Sequence, residues 1–283
     1  QILNRYGDQL SEMEKDCVED ITDIWKAMVF GWTQIGDPVR AQKYLTEMAE
    51  RGMEVDSLWF ERVIESNTQI NDPGALKRSF QVFELMEQCR LHGDFQPNER
   101  VYTSFIRAMT KARTPNLARK ATAILSRMQK LYDEGNSEIK PTVFTYNAIL
   151  MACAETQHAH DAEQTNEALH LAVRIFKLLR SGETADHVSF GNMLRCSNLM
   201  PDGPLKDALV QSAFQLCCQT GWVNEFVVRD LKLSATDELY ESLTGLKADG
   251  EIAVERLPSS WRGRVESKKS DKKPAVRQTR PRR

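Results

Sequence analysis

A two-helix pattern that recurs along the chain constrains the fold of this 283-residue protein more than any other feature. The clearest copy spans residues 143–186, opening V-F-T-Y-N-A-I-L-M-A-C-A and closing A-V-R-I-F-K-L-L-R-S-G-E-T-A-D. In its first half Tyr146, Ile149 and Cys153 follow the i, i+3, i+7 spacing of one apolar helix face. A unit of this kind cannot bury its apolar face alone, so the recurrence predicts a stack of helix pairs.

The other copies follow the same plan with different lengths. We expect five repeats, which span residues 22–56, 57–98, 99–142, 143–186 and 187–224. Gly, Pro and polar residues interrupt the periodicity and predict breaks between paired helices near residues 36, 72, 114, 160 and 202. The flanking segments are expected to be a supporting helix over 1–21, capping helices over 225–265 and a disordered basic tail over 266–283.

Two stretches carry a specific resemblance to a known family. They are T-Y-N-A-I-L and F-K-L-L-R in the fourth copy, and G-D-P-V-R-A-Q-K-Y-L-T-E-M-A-E-R-G-M-E-V-D in the first. On these residues the chain resembles the pentatricopeptide-repeat family over residues 22–224, whereas the W-x-x-L-G-x-x-Y pattern of tetratricopeptide repeats is absent. The resemblance implies an all-α fold, a right-handed α-solenoid of tandem helix–turn–helix repeats.

The resemblance also implies which residues bind a ligand. In that family the fifth and last residues of each repeat contact one base of single-stranded RNA, and the second residue clamps it. Asn147 and Asp186 form the pair that matches best, and it favours uracil in the family. Thr103 and Thr142 match at the first position only. Apolar clamps are expected at three second positions, namely Leu58, Phe144 and Val188.

The remaining repeats depart from the family pattern. Their pairs are Lys26 with Asp56, Glu61 with Asn98, and Gly191 with Asn224, while Asp23 and Arg100 occupy second positions. Glycine has no side chain to donate and glutamate would present a negative charge to RNA. Asn147 could instead be an ordinary polar residue of a first helical turn, and Phe144 could pack against the next repeat.

Charge is distributed unevenly along the chain. From Arg256 to Arg283 eleven Lys and Arg stand against two acidic residues, while the rest of the chain has 27 basic and 38 acidic residues. An acidic body differs from the uniformly basic domain expected of a general nucleic-acid binder. It favours the alternative function, a protein–protein interaction scaffold within a larger ribonucleoprotein assembly.

The sequence shows no signature of an enzyme, a cofactor site or a metal site. Phosphate-binding loops, nucleophile elbows and H-E-x-x-H motifs are absent. His158 and His160 form an H-x-H pair without further ligands nearby, and we expect exposed loop residues there. Cys153 and Cys196 should be buried and unbridged inside helices.

We therefore expect a non-catalytic protein that binds single-stranded RNA in organellar RNA processing, stability or translation. Mitochondrial or chloroplast localisation is implied by the resemblance alone, since no targeting segment is visible. No apolar run is long enough to predict a transmembrane helix, and a membrane partner is not expected.

Overall fold

The structure is a computed structural model that describes residues 21–70, 72–93, 95–156 and 161–265. Helices hold 77% of these residues, which include no β-strand, and the predicted all-α helical-repeat fold is confirmed. The α-helices are α1 (residues 21–35), α2 (Pro38–Glu50), α3 (Ser57–Gln69), α4 (Ala75–His92), α5 (Glu99–Lys111), α6 (Leu117–Asp133), α7 (Val143–Glu155), α8 (Ala162–Ser181), α9 (His187–Cys196), α10 (Pro204–Thr220), α11 (Glu225–Ser234) and α12 (Asp237–Thr244).

The helix breaks near residues 36, 72, 114 and 202 fall where the sequence predicts them. Local sequence features produce the break near residue 36. Asp37 caps α2, whose first residue is Pro38, and Gly36 adopts a φ of 81°, which favours glycine. The break predicted near residue 160, His158 and His160 lie outside the described residues. The predicted tail over 266–283 and residues 1–20 of the predicted supporting helix also lie outside the described residues.

The chain divides into two compact units, residues Gln1–Glu155 and Thr156–Arg283. In the first unit the helices that open successive repeats, α3, α5 and α7, pack side by side. The second helices of the pairs, α4 and α6, pack against these first helices. The boundary between the units falls after α7.

Helix α5 shows how the sequence builds the core of the first unit. Its large apolar side chains are almost completely buried, namely Val101, Tyr102, Phe105, Ile106 and Met109. The ring of Phe105 stacks on Phe83 at a centroid distance of 4.1 Å and meets Phe80 edge-on at 4.9 Å. Burial of each such side chain stabilises the fold by roughly 1.5–3 kcal/mol.

A half-buried carboxylate joins α4, α5 and α6. Glu87 accepts hydrogen bonds from the hydroxyl of Tyr102, from Arg127 Nη2 at 2.7 Å and from Arg90 Nε at 2.9 Å. Burial alone would raise the pKa of Glu87, but these three donors outweigh it and the pKa is lowered. The charged form is therefore the one that holds the three helices together.

The second unit is built around α9, which packs against α8, α10 and α11. Phe190 of α9 meets Phe176 of α8 edge-on at 5.5 Å. A short segment near the end of the described chain returns to this core, where Trp261 meets Phe214 of α10 at 5.8 Å. Its carbonyl also accepts a hydrogen bond from the backbone N–H of Val223 at 2.9 Å.

Two cysteines were predicted to be buried and unbridged. Cys153 in α7 and Cys196 in α9 are both 0% exposed, and neither takes part in a disulfide. This agrees with their place on the apolar faces of helices that open repeats.

Candidate nucleic-acid interface

The last residue of every predicted repeat caps the helix that follows it. Asp56, Asn98 and Asp186 each accept hydrogen bonds from two backbone N–H groups of the next helix. Thr142 Oγ1 accepts from Phe144 N at 3.1 Å, and Asn224 accepts from Val227 N. The position expected to contact a base edge therefore also satisfies the open end of a helix.

The second positions form an exposed row at the start of the first helices. In the first unit the side chain of Arg100 is 67% exposed, Phe144 is 60% exposed and Leu58 is 38% exposed. Val188, in the second unit, is half-buried. Large side chains exposed at successive equivalent positions are what a row of base clamps requires.

The fifth positions lie three residues further on and are mostly buried. Glu61, Thr103 and Asn147 are 9%, 3% and 7% exposed. Lys26, in the first repeat, is instead engaged by Asp23 at 3.9 Å and Glu54 at 3.5 Å. In the repeats opened by α3, α5 and α7 an exposed second residue thus accompanies a recessed fifth residue.

The predicted pair Thr103 and Thr142 meets at a carboxylate that sequence analysis did not identify. Glu99 Oε1 accepts hydrogen bonds from the hydroxyls of Thr103 at 2.7 Å and Thr142 at 3.1 Å. A third donor is Thr145 Oγ1 at 2.6 Å. Because these hydroxyls already donate to Glu99, a base at this repeat has to compete with an internal network.

A pocket of about 240 Å³ opens between α3 and α5. Three carboxylates, two guanidinium groups, two hydroxyls and one aromatic ring line it, contributed by Glu61, Glu65, Glu99, Arg100, Arg107, Thr103, Ser104 and Phe144. It therefore contains both an expected clamp and two fifth-position residues. The excess of carboxylates makes the pocket slightly acidic.

The best-matching pair of the sequence analysis is divided between the two units. Asn147 lies on α7 in the first unit, whereas Asp186 caps α9 in the second. Asp186 Oδ1 accepts from Val188 N and Ser189 N, both at 3.0 Å, and Ser189 Oγ completes a capping box. Each residue lies at the position in its own helix pair that the repeat pattern predicts.

In the fifth repeat, side chains of the same unit occupy the space beside the fifth position, Gly191. A Cβ atom at Gly191 would lie 2.3 Å from Phe226 Cε1 and 2.8 Å from Asp230 Oδ2. Both side chains come from α11, which packs against α9. Glycine is therefore required by packing, and the space that a base-contacting side chain would use is occupied by the capping helix.

Several residues of this surface escaped the sequence analysis. Glu65, Ser104 and Arg107 line the pocket from positions that the repeat pattern leaves unassigned. The glycine at position 191 was the one available signal for the contact with Phe226, because a glycine inside a helix indicates a close approach.

Within the described ranges, no group of three or more His, Cys, Asp or Glu residues could hold a metal ion. The helices in those ranges are also too short or too polar to cross a membrane.

Comparison with known proteins identifies the repeats. A search of curated proteins returned no match. The family model described as the pentacotripeptide-repeat region of PRORP matches residues 19–178, which is more than half of the chain. The match covers the first three predicted repeats and most of the fourth. The chain therefore belongs to the family of pentacotripeptide-repeat regions of PRORP.

Proposed function

We propose that this protein binds single-stranded RNA along the first helices of residues 21–155. The observation that carries the proposal is the row of exposed second positions, Leu58, Arg100 and Phe144, above recessed fifth positions. An aromatic ring and a guanidinium plane are both suitable surfaces for stacking an unpaired base. The spacing of one such set per repeat matches one nucleotide per repeat.

Recognition on this surface depends on base contacts more than on charge. Basic and acidic side chains alternate here, as Arg100 and Arg107 beside Glu61 and Glu65 illustrate. A phosphate backbone would gain little from such a surface, whereas an unstacked base gains from stacking. The tail over residues 266–283 would add affinity through counterion release without base preference.

A titration of labelled single-stranded RNA at two salt concentrations tests the proposal. We expect the chain shortened to residues 1–265 to bind uridine-rich and mixed strands more weakly than the full chain but with the same order of preference. Asn147→Ala should relax the preference at one nucleotide. Loss of all binding in the shortened chain would show that the repeats do not bind RNA.

The proposed role is binding without cleavage, in processing, stability or translation of organellar RNA. Family membership supports this role and the mitochondrial or chloroplast location. Incubating the protein with labelled RNA and Mg²⁺ tests the first part, since shorter fragments would contradict it. Fluorescence microscopy of the tagged protein tests the second.

A specific observation favours one alternative, a scaffold for protein partners. Three carboxylates line the same pocket as Phe144, and an acidic, partly apolar surface suits a basic peptide segment. If the chain binds no RNA at low salt yet copurifies with basic proteins of a ribonucleoprotein particle through Glu61, the scaffold function replaces the RNA function.

A further inference from the structure

The three carboxylates of the pocket between α3 and α5 differ in what they bind within the protein. Glu99 accepts three threonine hydroxyls, and Glu65 Oε1 accepts the hydroxyl of Ser104 at 3.2 Å. Glu61 Oε2, by contrast, has no hydrogen-bond partner among the described residues. Two carboxylates are thus satisfied internally and the third is not.

Glu61 is also recessed in this pocket. The residue is 9% exposed, and the nearest cation is Arg100, whose Nη1 lies 3.9 Å from Oε2, beyond hydrogen-bonding distance. Burial raises the pKa of Glu61, and the charge of Arg100 only partly opposes it. A buried carboxylate without donors is costly, so an incoming donor pair would be bound favourably.

The position of Glu61 identifies which part of a nucleotide would reach it. It is the fifth residue of the second repeat, between the exposed second positions Leu58 and Arg100. The pocket has one more carboxylate than guanidinium groups, so it disfavours a phosphate and favours an uncharged group that carries N–H donors.

The four bases differ in the donors that they could offer. An ionised carboxylate accepts through both oxygens and donates nothing. Guanine presents two adjacent donors, N1–H and the N2 amino group, on its Watson–Crick edge. Uracil has one N–H between two carbonyl oxygens that a carboxylate repels, and adenine and cytosine each pair one amino donor with a ring acceptor.

We infer that Glu61 selects guanine at the second repeat, with the carboxylate accepting N1–H and N2–H from the base. The inference rests on the proposed RNA-binding function and adds a nucleotide preference that the family pattern does not predict for this pair. Arg100 and Leu58 flank the base, and Glu65 and Glu99 remain engaged with their hydroxyl donors.

The test compares uridine strands that carry one guanine, adenine, cytosine or inosine at each position in turn. At the best position guanine should bind about tenfold tighter than adenine or cytosine, the discrimination expected of one bidentate pair. Inosine, which keeps N1–H but lacks the amino group, should fall between guanine and adenine. This ligand series needs no variant of the protein.

Two matched variants locate the effect. Glu61→Gln and Glu65→Gln remove the same charge from the same helix and pocket, and circular dichroism confirms that both fold. The guanine preference should fall below about twofold in Glu61→Gln and persist in Glu65→Gln, because Glu65 already has its donor. For strands without guanine, equal gains in affinity are expected from both variants, since each removes one negative charge.

The outcomes separate the two levels of the argument. If no strand binds the full chain, the RNA-binding function itself is wrong. If strands bind but guanine and inosine are equal at every position, or the preference survives Glu61→Gln, then RNA binding stands and the role of Glu61 is wrong.

Discussion

Two phenylalanines occupy the same place in the repeat pattern and have opposite environments. Phe144 follows the capping residue Thr142 by two positions and is 60% exposed, while Phe226 follows Asn224 by two positions and packs onto Gly191. The preceding fifth position differs, since it is Thr103 before Phe144 and Gly191 before Phe226. We expect a side chain at the fifth position to keep the ring outside, whereas glycine leaves room for it to fold inward.

The two rings therefore differ in their role in the core. Phe144 is available to a ligand because its exposed ring is not part of the core of the first unit. Phe226 completes the core between α9 and α11, and Arg229 covers its other face at 4.8 Å. One repeat plan thus produces an exposed ring in the first unit and a packing element in the second.

Truncating the two rings should separate these roles most clearly. Phe226→Ala is expected to lower the free energy of unfolding by about 2–3 kcal/mol, because it removes a half-buried aromatic side chain. Phe144→Ala should change stability by less than about 0.5 kcal/mol and weaken RNA binding by about 1–3 kcal/mol. Urea unfolding and RNA titration measure the two quantities. A comparable loss of stability in both variants would contradict the comparison.

Adding one methyl group in each unit tests the role of the glycine. Gly191→Ala should destabilise the protein by about 1–2 kcal/mol, since the clash with Phe226 exceeds the gain in helix propensity. Gly31→Ala is the matched control, because apart from its chain neighbours and the adjacent backbone of α1 no atom of the described residues lies within 4 Å of the added Cβ. That change should stabilise by up to about 1 kcal/mol. Thermal melts of the two variants should therefore shift in opposite directions.

The carboxylate beneath Phe226 should make the second unit sensitive to pH. Burial raises the pKa of Asp230 and the opposing charges of Arg229 and Arg195 do not cancel it. A raised pKa means that the folded state binds the proton more readily than the unfolded state does. The stability that protonated Asp230 contributes is therefore complete below the unfolded pKa near 3.8, and it is lost as pH rises through the folded pKa.

Asp230→Asn should remove that dependence. At neutral pH we expect the variant to be about 1 kcal/mol more stable than the parent, because Asp230 Oδ2 is buried and has no hydrogen-bond partner among the described residues. Urea unfolding at a series of pH values compares the two slopes over the acidic range. Parallel slopes would show that Asp230 keeps its ordinary pKa.

The smallest effect is expected at the fifth position of the third repeat. Thr103→Val preserves the shape of the side chain that underlies Phe144 and removes only its hydroxyl. Glu99 keeps two of its three donors, so the loss should be about 0.5–1 kcal/mol. The exposed state of Phe144 should persist, with RNA binding unchanged. A large loss of binding would mean that the hydroxyl of Thr103, and not its bulk, serves the ligand.

Local features of the sequence predict most of the fold. Gly36 and Pro38 break and restart helices through their own backbone preferences, and the i, i+3, i+7 spacing of α7 already identifies its buried face. The repeat phase places Phe144 at a second position but leaves open whether it packs against the next repeat, and the structure shows it exposed. These properties depend on residues that are close together in the chain.

The chemistry of the candidate site depends on contacts between repeats and was only partly predictable. Thr103, Thr142 and Thr145 converge on Glu99 only once α5 and α7 are packed. Glu61 looked like a mismatch in the sequence, since burial and the absence of a donor are properties of the folded surface. Asp230 and Phe226 reach Gly191 from a different helix pair, which no spacing rule anticipates.

The capping role of the last residue in each repeat limits how this protein can change over evolution. Five repeats end in Asp56, Asn98, Thr142, Asp186 and Asn224, all short side chains that can accept a hydrogen bond from the next helix. A substitution to any other kind of residue would loosen a helix end before it altered ligand preference. Mutation at these positions is therefore restricted to a few residue types, and under the proposed function a change of base preference would exchange one capping residue for another.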